Sequence, residues 1–597
     1  MTGIGGTYIG VTCTGGTDVA GTGIGVTDVA GYLRTVAEAE ASSGLARWAA
    51  AAALWEQVVE RNPVKGSHWA RLGEARFERH DFRGALPAYQ RAAELGVWGG
   101  RITGFLFPGE VAYRIACCHA RLGEEDRAIE ALRGALRLGF RDLDRPRTDG
   151  HWRSLLAADA VREMLGIIDA DGLSRDEGWR ADISFLAREI KRRAPAPFRG
   201  GGEPFRGGIS EPDFDARVSR LARAVPDRTD AQIIAGMLKL LQPLGDGHAF
   251  IAPPEGDREL NRILPVKFYQ FGEGLFVTAA APAYRRLLGA QVLRVGAHPA
   301  GAVLAALEPL ISRDNAQQVA WLGPELLPWA PMLHALGLTA DPGGVTLTVR
   351  FPDQSTGQAT IEATAAPVPR EYPTTAPSAA PDRPCPAGWI SLPDTLPGPL
   401  PLYLRHCDDR YWFEHLPAHR LVYFQLNGLG DGPAETLAAF CERLFSFIDR
   451  QQAETLVIDL RWNGGGNTLL AQPLLHHLIG CARINRPGGL YVIIGRGTFS
   501  AAQNTATAIE RETNAIFAGE PSGSRPNFTG ETATFQLPYS KAIANVSDLY
   551  WQTSWPVDDR PWIAPEIYLP PTFEAYRQNR DPVLEAILAG RAHRPAA

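Results

Sequence analysis

The chain has 597 residues, of which 45% are hydrophobic and 21% charged, a composition typical of a globular protein with several domains. Its formal net charge of −6 gives no electrostatic reason to expect a nucleic acid or an anionic membrane as a partner. The 7 cysteines are scattered, and Cys117 and Cys118 are adjacent rather than in a C-x-x-C motif, which indicates reduced thiols and excludes a disulfide framework or a zinc site.

The N-terminus does not have the pattern of a secretory signal, since no lysine or arginine precedes Arg34 and no continuous apolar core is present. No stretch of the chain approaches the roughly eighteen apolar residues of a membrane span. We therefore expect a cytoplasmic protein. Residues 1–31 are rich in glycine and threonine, which predicts a flexible tail to which we assign no function.

Residues 32–170 have helical periodicity and repeat a hairpin pattern of small and aromatic residues. The two clearest units carry this pattern at Trp69, Leu72, Gly73, Ala85, Tyr89 and Ala92, and at Ala112, Ala116, Ala128, Leu132 and Ala135. Small residues let two helices approach, and aromatic residues fill the space between neighbours. The pattern resembles a short tetratricopeptide array, which implies a docking surface for a protein partner. The alternative is a structural cap.

Residues 178–261 form a predicted helical subdomain that leads to the sequence Asp246-Gly247-His248-Ala249. An imidazole titrates near neutrality, so His248 is a candidate general base that takes a hydroxyl proton and returns it to a leaving amine. A single histidine is more often a structural residue, and the sequence context has to decide between the two.

Residues 262–365 contain short β patterns and one helix near residues 302–307. The run LLGAQVLRVGAHPAGAVLAAL resembles the strand–turn–helix of a PDZ-like module, which implies binding of peptide ends by strand addition. The alternative is an ordinary β insertion without a ligand. Residues 366–400 are rich in proline, alanine, serine and threonine, which predicts a linker or an extended surface loop.

Residues 401–590 contain the most informative stretch of the chain. A β-branched run over residues 456–458 leads to Gly464–Gly466, a second β run covers residues 490–494, and a tight turn then ends at Ser500 before a helix-forming segment. This order predicts a βαβ unit with a parallel sheet. Such turns lie where open α/β sheets bind ligands, although each piece alone also fits a plain or phosphate-binding loop.

Three blocks, DLRWNGGG, GRGTFSAAQN and AGEPSGSRPN, together with Asp246-Gly247-His248, closely resemble the tail-specific, or C-terminal-processing, serine peptidase family. The resemblance is to the Ser–His branch with the tricorn core and the retinoid-binding-protein repeats, and it covers about Gly178 to Leu588. It implies an α+β multidomain protein with a ClpP/crotonase-type α/β peptidase core, a PDZ-like β insertion and the N-terminal helical repeat domain.

The family resemblance implies Ser500 as the catalytic nucleophile and His248 as the general base. It also implies an oxyanion hole made by the backbone N–H groups of Gly464 or Gly465 together with that of Ala501. No cofactor and no metal are implied.

The third member of the triad is implied to lie in the segment YWQTSWPVDDRPWIAPEI, with Asp559 and Asp558 as candidates. Adjacent acids before Arg560 equally fit a turn paired with that arginine. Glu531 is a weaker candidate.

The sequence departs from the family pattern at two positions. Arg525 stands where the Ser–Lys branch has its catalytic lysine, and because arginine stays protonated this excludes the Ser–Lys mechanism. Arg525 is either structural or binds a substrate carboxylate. Ala249 replaces the hydroxyl residue that commonly follows the histidine, which puts any helper role there in doubt.

Three functions remain open from the sequence. The first is a serine peptidase acting on a peptide or protein substrate. The second is a catalytically silent peptide- or ligand-binding scaffold, which the retinoid-binding relatives make conceivable. The third is acyl chemistry of the crotonase type with coenzyme A, for which no basic cluster is placed to hold the phosphates.

Overall fold

The computed structural model describes residues 28–97, 108–140, 142–194, 198, 208–365, 380–381 and 385–592. The chain divides into two compact units, Met1–Leu165 and Gly166–Ala597. Residues 1–27 of the predicted N-terminal tail, and residues 366–379 and 382–384 of the predicted linker or surface loop, lie outside the described residues. Among the described residues, no helix is long and apolar enough to cross a bilayer.

The first unit is helical in its described part. Its helices are α1 (Val29–Gly44), α2 (Trp48–Arg61), α3 (Gly66–Glu78), α4 (Phe82–Leu95), α5 (Pro108–Arg121), α6 (Glu125–Arg137), α7 (Asp144–Thr148) and α8 (Asp159–Leu165). Successive helices from α1 to α6 pack against one another. A Cβ added to Gly73 would lie 2.8 Å from the ring of Tyr89, so a glycine is needed where α3 and α4 approach.

The second unit is mixed α/β. Its helices are α9 (Arg175–Arg193), α10 (Glu211–Ala224), α11 (Asp230–Leu241), α12 (Ala300–Leu307), α13 (Ala316–Leu326), α14 (Ala330–Ala335), α15 (Leu437–Gln451), α16 (Gln472–Gly480), α17 (Ala501–Glu512), α18 (Phe573–Arg577) and α19 (Pro582–Ala592). Its first nine strands are β1 (Phe250–Ala252), β2 (Arg262–Ile263), β3 (Val266–Phe271), β4 (Gly274–Ala280), β5 (Gln291–Val295), β6 (His298–Pro299), β7 (Gly344–Arg350), β8 (Thr356–Glu362) and β9 (Thr364–Ala365). The other nine are β10 (Ile390–Ser391), β11 (Tyr411–Leu416), β12 (Leu421–Leu426), β13 (Thr455–Asp459), β14 (Leu490–Ile494), β15 (Ile516–Gly519), β16 (Asn527–Gln536), β17 (Ile543–Gln552) and β18 (Ile567–Tyr568).

A 6-stranded sheet in the order β11-β12-β13-β14-β15-β18 forms the centre of the second unit. Its strands are parallel from β12 to β18, and β11 joins β12 antiparallel. Both faces are buried, as is usual for parallel sheets: Phe424 faces a cluster with α15, α16 and α17, whereas Tyr423 faces a cluster with α19. The βαβ arrangement predicted around the glycine turn is confirmed in β13, α16 and β14.

A separate 7-stranded antiparallel sheet has the order β10-β4-β5-β7-β8, with β3 paired to β4 and β6 paired to β5. Strand β10 lies within residues 366–400, which the sequence predicted to be a linker or an extended surface loop. Ile390 and Ser391 of this segment pair with Ala280 and Ala279 at the edge of the sheet, a pairing that the sequence did not predict. A two-residue strand between prolines carries no periodic signal.

A third sheet, in the order β1-β17-β16, joins distant parts of the chain. Strand β1 begins two residues after His248 and pairs antiparallel with β17, from Phe250 opposite Asn545 to Ala252 opposite Ile543. This pairing holds the histidine loop beside residues that lie about 300 positions later in the chain, within reach of the central sheet.

Candidate active site

Ser500 lies in the turn between β14 and α17, at the carboxyl end of a central strand. Its backbone has φ 56° and ψ −124°, a conformation that an L-residue adopts only under strain. Strain of this kind is typical of a nucleophile held on a sharp strand-to-helix turn. The turn thereby presents the Ser500 hydroxyl at the N-terminus of a helix of 12 residues.

The imidazole of His248 meets this hydroxyl, with Nε2 at 3.0 Å from Ser500 Oγ. The histidine is 4% exposed, and its ring lies between Phe499, at 4.4 Å between centroids, and Phe528, at 5.8 Å. Burial lowers the pKa of His248 to about 4, and the nearby backbone carbonyl of Thr529 opposes this shift. The ring is therefore neutral at neutral pH, as a general base has to be.

The structure does not bring the predicted acids to this imidazole. Among the residues that the structure describes, neither Asp558 nor Asp559 hydrogen-bonds the buried Nδ1 of His248. The Asp558 carboxylate instead accepts from Ser554 Oγ at 2.6 Å and from Arg560 Nε at 3.0 Å, and Arg560 lowers the pKa of Asp558 to about 2.

Asp558 therefore forms a local turn paired with Arg560, which was the alternative to a triad acid. Arg560 follows Asp558 by two residues, and its Nη2 donates back to the Asp558 carboxylate. The backbone carbonyl of Asp559 accepts from Arg525 Nη1 at 3.5 Å. Glu531 is an exposed residue of β16 with a positive φ of 63°.

The acid that the structure does place beside His248 is Asp246, whose Oδ1 lies 3.9 Å from Nδ1. The same Oδ1 accepts the backbone N–H of His248 at 2.9 Å. Asp246 belongs to the Asp-Gly-His motif of the sequence, but the motif predicted a role only for the histidine. The motif was the available signal, because an acid two residues before a histidine can contact that histidine's own backbone.

The glycine turn that follows β13 lies directly against Ser500. A Cβ added to Gly465 would lie 2.8 Å from the Ser500 Cβ and 3.2 Å from the Ala501 nitrogen, and Gly465 has φ 124°. Both the space and the backbone conformation therefore require glycine there. The side chain of Asn463 fixes the turn, because its Nδ2 donates to the Leu426 carbonyl at 2.9 Å.

The predicted oxyanion donors differ in whether their N–H groups are engaged. The N–H of Gly465 donates to Asn463 Oδ1 at 3.0 Å inside the turn, which leaves Gly464 as the better of the two predicted glycines. The N–H of Ala501 is the first of α17 and has no acceptor within its helix. The positive end of the helix dipole adds to the attraction for negative charge at this position.

Two buried arginines brace the site from the central sheet. Arg496, four residues before Ser500, pairs with Glu520 at 2.8 Å and donates from Nη1 to the Gln270 carbonyl of β3 at 2.8 Å. Arg461 pairs with Asp581 at 2.8 Å. Burying charges is costly unless they are paired and hydrogen-bonded. The contacts of Arg461 therefore fix the glycine turn, and those of Arg496 fix the turn that carries Ser500.

Arg525 makes a structural contact, since its Nε donates to the Asp314 carbonyl at 2.9 Å. Asp314 itself is a buried acid that no sequence signal pointed to. Among the described residues, no cluster of three or more histidine, cysteine, aspartate or glutamate side chains is placed to hold a metal ion.

Neither a protein-family model nor a curated protein matches the chain. The chain is similar to the solved structure of mature CPAF complexed with lactacystin, at 13% identity and a TM-score of 0.48, covering 70% of this chain and 97% of that chain. It is similar to the photosystem II D1 C-terminal processing protease at 15% identity and a TM-score of 0.31, covering 69% of this chain and 96% of that chain.

A further similar structure is the tricorn protease, at 9% identity and a TM-score of 0.29, covering 70% of this chain and 37% of that chain. These neighbours agree with the family resemblance of the sequence motifs.

Proposed function

We propose that this chain is a serine peptidase that hydrolyses peptide bonds of proteins or peptides, with Ser500 as nucleophile and His248 as general base. The observation that carries the proposal is the distance of 3.0 Å between Ser500 Oγ and His248 Nε2. It joins residues 252 positions apart on a strained turn beside a helix N-terminus. A hydroxyl within hydrogen-bond reach of a neutral imidazole is what general-base activation requires.

In the acylation step, Ser500 Oγ forms a bond to the carbonyl carbon of the scissile peptide while its proton passes to His248 Nε2. The carbonyl oxygen becomes an oxyanion that accepts from the N–H groups of Ala501 and Gly464. One such donor is typically worth about 3 kcal/mol of transition-state stabilisation. The C–N bond then breaks as His248 returns the proton to the leaving amine, which leaves an ester on Ser500.

In the deacylation step, water takes the position of the amine. His248 accepts a proton from the water as its oxygen bonds to the acyl carbon, and the proton then returns to Ser500 Oγ as the ester bond breaks. The products are a free carboxylate and the regenerated hydroxyl. The buried ring pocket of Phe499 and Phe528 limits other water around the imidazole.

The direct test is labelling with a fluorophosphonate probe, which reacts with activated serine hydroxyls. We expect wild type to be labelled at Ser500 and Ser500→Ala to be unlabelled. Ser355→Ala is the matched control, because Ser355 is an exposed serine in a loop of the β sheet. Equal labelling of wild type and Ser500→Ala would remove the nucleophile assignment, whereas loss of labelling in both serine variants would point to misfolding.

The second candidate function is a catalytically silent scaffold that holds a peptide or ligand in the same cleft. The observation that favours it is that, among the described residues, no carboxylate hydrogen-bonds the Nδ1 atom of His248. A peptide library incubated with the protein separates the two. Retention of peptides without any cleavage by wild type supports the scaffold.

We further propose a ClpP/crotonase-type core for the central sheet, because the glycine turn after β13 and the serine turn after β14 both lie at the carboxyl ends of neighbouring parallel strands. The parallel order β12-β13-β14-β15, with α15, α16 and α17 packed on one face of the sheet, supports this assignment.

We propose a PDZ-like role for the antiparallel sheet and a tetratricopeptide-like docking role for α1 to α6. In the sheet, the order β5, β6 and α12 supplies the expected strand, turn and helix. In the helical unit, the close approach at Gly73 and the succession of packed hairpins support a repeat array. Deletion of either module with retention of fluorophosphonate labelling would separate docking from chemistry.

A further inference from the structure

Two buried carboxylates lie beneath the loop that carries His248. Asp246 is 3% exposed and Asp314 is 5% exposed. Asp246 Oδ1 accepts the backbone N–H of His248 at 2.9 Å, and Asp314 Oδ1 accepts the backbone N–H of Gly247 at 2.9 Å. Two consecutive peptide groups of the histidine loop therefore each donate to a different buried acid.

The two acids are unequally supplied with donors. Besides the His248 N–H, Asp246 accepts from the backbone N–H of Ser547 at 2.8 Å and from its hydroxyl at 2.8 Å, so both carboxylate oxygens are satisfied. Asp314 accepts the Gly247 N–H on Oδ1 and has the Ser524 hydroxyl as a second nearby donor, but its buried Oδ2 makes no hydrogen bond of normal geometry with a described residue. Donors stabilise an ionised carboxylate, whereas burial with fewer donors favours the protonated acid. Asp246 is therefore the better place for a negative charge.

The charges around Asp314 lead to the same assignment. Burial raises the pKa of Asp314 to about 7, and the hydrogen bonds from the Ser524 hydroxyl and the Gly247 N–H oppose this shift. The charged groups that face it are Asp246, which raises this pKa further, and Arg525, which lowers it. Burial also raises the pKa of Asp246, and hydrogen bonds from Ser547 and His248 oppose that shift. Two carboxyl groups this close hold one charge more easily than two.

The loop has no room to rearrange around these contacts. Gln318 of α13 accepts the Asp314 N–H at 2.6 Å and donates to the Gly247 carbonyl at 3.1 Å. A Cβ added to Gly247 would lie 2.6 Å from Gln318 Oε1 and 2.8 Å from Asp314 Oδ1. The histidine loop is thus clamped between the two acids and α13.

We propose that Asp246 is the positioning acid of His248 and that Asp314 holds a proton, which leaves Asp246 as the anion beneath the histidine loop. This inference rests on the proposed peptidase function. At 3.9 Å from Nδ1, Asp246 Oδ1 is beyond hydrogen-bond distance, so it acts on the imidazolium through its charge and on the ring orientation through the backbone of His248. No bond to Asp246 forms or breaks during the reaction.

The experiment compares Asp246→Asn with Asp558→Asn and with Asp394→Asn, an exposed acid outside the site. We expect Asp246→Asn to lower kcat on the order of 10³-fold with little change in KM, because loss of an orienting acid removes transition-state stabilisation. We also expect the acid limb of its pH–rate profile to move to lower pH, since the imidazolium loses its counter-charge. The Asp394→Asn variant should behave as wild type.

Fluorophosphonate labelling distinguishes a failure of the peptidase proposal from a failure of the inference about Asp246. If wild type is not labelled at Ser500, the peptidase proposal fails. If wild type is labelled and Asp246→Asn turns over peptide at the wild-type rate with an unshifted pH profile, the peptidase proposal stands and the inference is overturned. A large loss of kcat in Asp558→Asn alone likewise overturns it.

A second variant decides the matter if Asp246→Asn does not fold. Because an amide resembles a protonated carboxyl in shape, we expect Asp314→Asn to fold and to keep its kcat within a few-fold at about pH 6. The pKa of Asp314 in the folded protein, about 7, lies above its ordinary value of 3.8. The stability that protonated Asp314 contributes to the fold is therefore present in full below pH 3.8 and is lost as the pH rises through 7. The Tm of Asp314→Asn should therefore exceed that of wild type increasingly towards about pH 8. A loss of kcat above about tenfold at pH 6, or a constant Tm difference across this range, would overturn the inference.

Discussion

The turn that carries Ser500 and the loop that carries His248 deliver the two reacting groups by opposite means. The serine turn joins a central strand directly to a helix, and its geometry follows from local residues: a buried strand, close glycines and a helix start. The histidine loop depends on residues far away in the chain, namely Asp314, Gln318 and Ser547. A local motif can therefore identify the proposed nucleophile, whereas the environment of the proposed base becomes visible only in three dimensions.

The largest expected effect tests the serine side of this comparison. Gly465→Ala introduces a Cβ 2.8 Å from the Ser500 Cβ at a residue with φ 124°, so either the glycine turn or the nucleophile has to move. We expect kcat/KM for peptide cleavage to fall on the order of 10²-fold or more, since small misplacements of reacting groups cost about that much. Peptide cleavage assayed on folded protein provides the measurement.

The matched control for this change is Gly480→Ala, because an added Cβ there meets no atom within 4 Å. It should retain wild-type cleavage. Undiminished cleavage by Gly465→Ala would show that the glycine turn does not set the position of Ser500.

The next effect tests the histidine side. Gly247→Ala places a Cβ 2.6 Å from Gln318 Oε1 and 2.8 Å from Asp314 Oδ1. We expect a loss of about 1 to 3 kcal/mol in the free energy of unfolding from overpacking, together with slower fluorophosphonate labelling as His248 shifts. Urea unfolding and labelling rates, measured in parallel, give the two quantities. An unchanged labelling rate in a destabilised variant would mean that the clamp serves folding and not the position of the base.

The pH dependence of labelling tests the buried state of the base itself. Burial lowers the pKa of His248 to about 4, from an ordinary value of 6.5. The base stays neutral well below pH 6.5, and we expect the acid limb of the labelling rate to have its midpoint near 4. A midpoint near 6.5 would show that the imidazole is exposed to water in the functional state.

The same shift affects stability with a definite sign. Because the folded-state pKa lies below the unfolded one, the contribution of His248 is present in full above pH 6.5 and is lost as the pH falls towards about 4. Thermal unfolding measured between pH 6.5 and about 4 should show that lowering the pH lowers the Tm of wild type more steeply than that of a His248→Ala variant.

The smallest expected effect concerns the acid that the sequence singled out. Asp558 pairs with Arg560, which is about half exposed and also pairs with Glu510. We expect Asp558→Asn to lower the free energy of unfolding by about 1 to 2 kcal/mol, because the Asp558 side chain is 10% exposed and accepts from Ser554 as well as from Arg560. Denaturant unfolding measures it. A loss of several kcal/mol would show that this turn supports the site far more than its exposure indicates.

Much of the central sheet could be predicted because its signals are local. The runs at residues 456–458 and 490–494 appear as β13 and β14, and the helix-forming segment after Ser500 appears as α17. Strand β10 was not predicted, because Ile390 and Ser391 become a strand only by pairing with β4. No local pattern encodes that partnership.

The site was predictable to the same extent and for the same reason. Ser500 and His248 lie in motifs with their own local geometry, and the structure brings them together at 3.0 Å. The place of Asp558 in its segment predicts a triad acid, but its carboxylate accepts from an arginine two residues later and not from the imidazole. Asp314 carries no motif at all, since its role depends on a peptide N–H of residue 247, which lies 67 positions earlier.

The sheet made of β1, β17 and β16 has a consequence for a chain still being synthesised. Strand β1 cannot pair until β17, ending at Gln552, has left the ribosome, and the Ser547 donors that hold Asp246 arrive at the same moment. A nascent polypeptide therefore completes the serine turn before the histidine loop is held in place, and the two proposed reacting groups meet only after β17 has been synthesised.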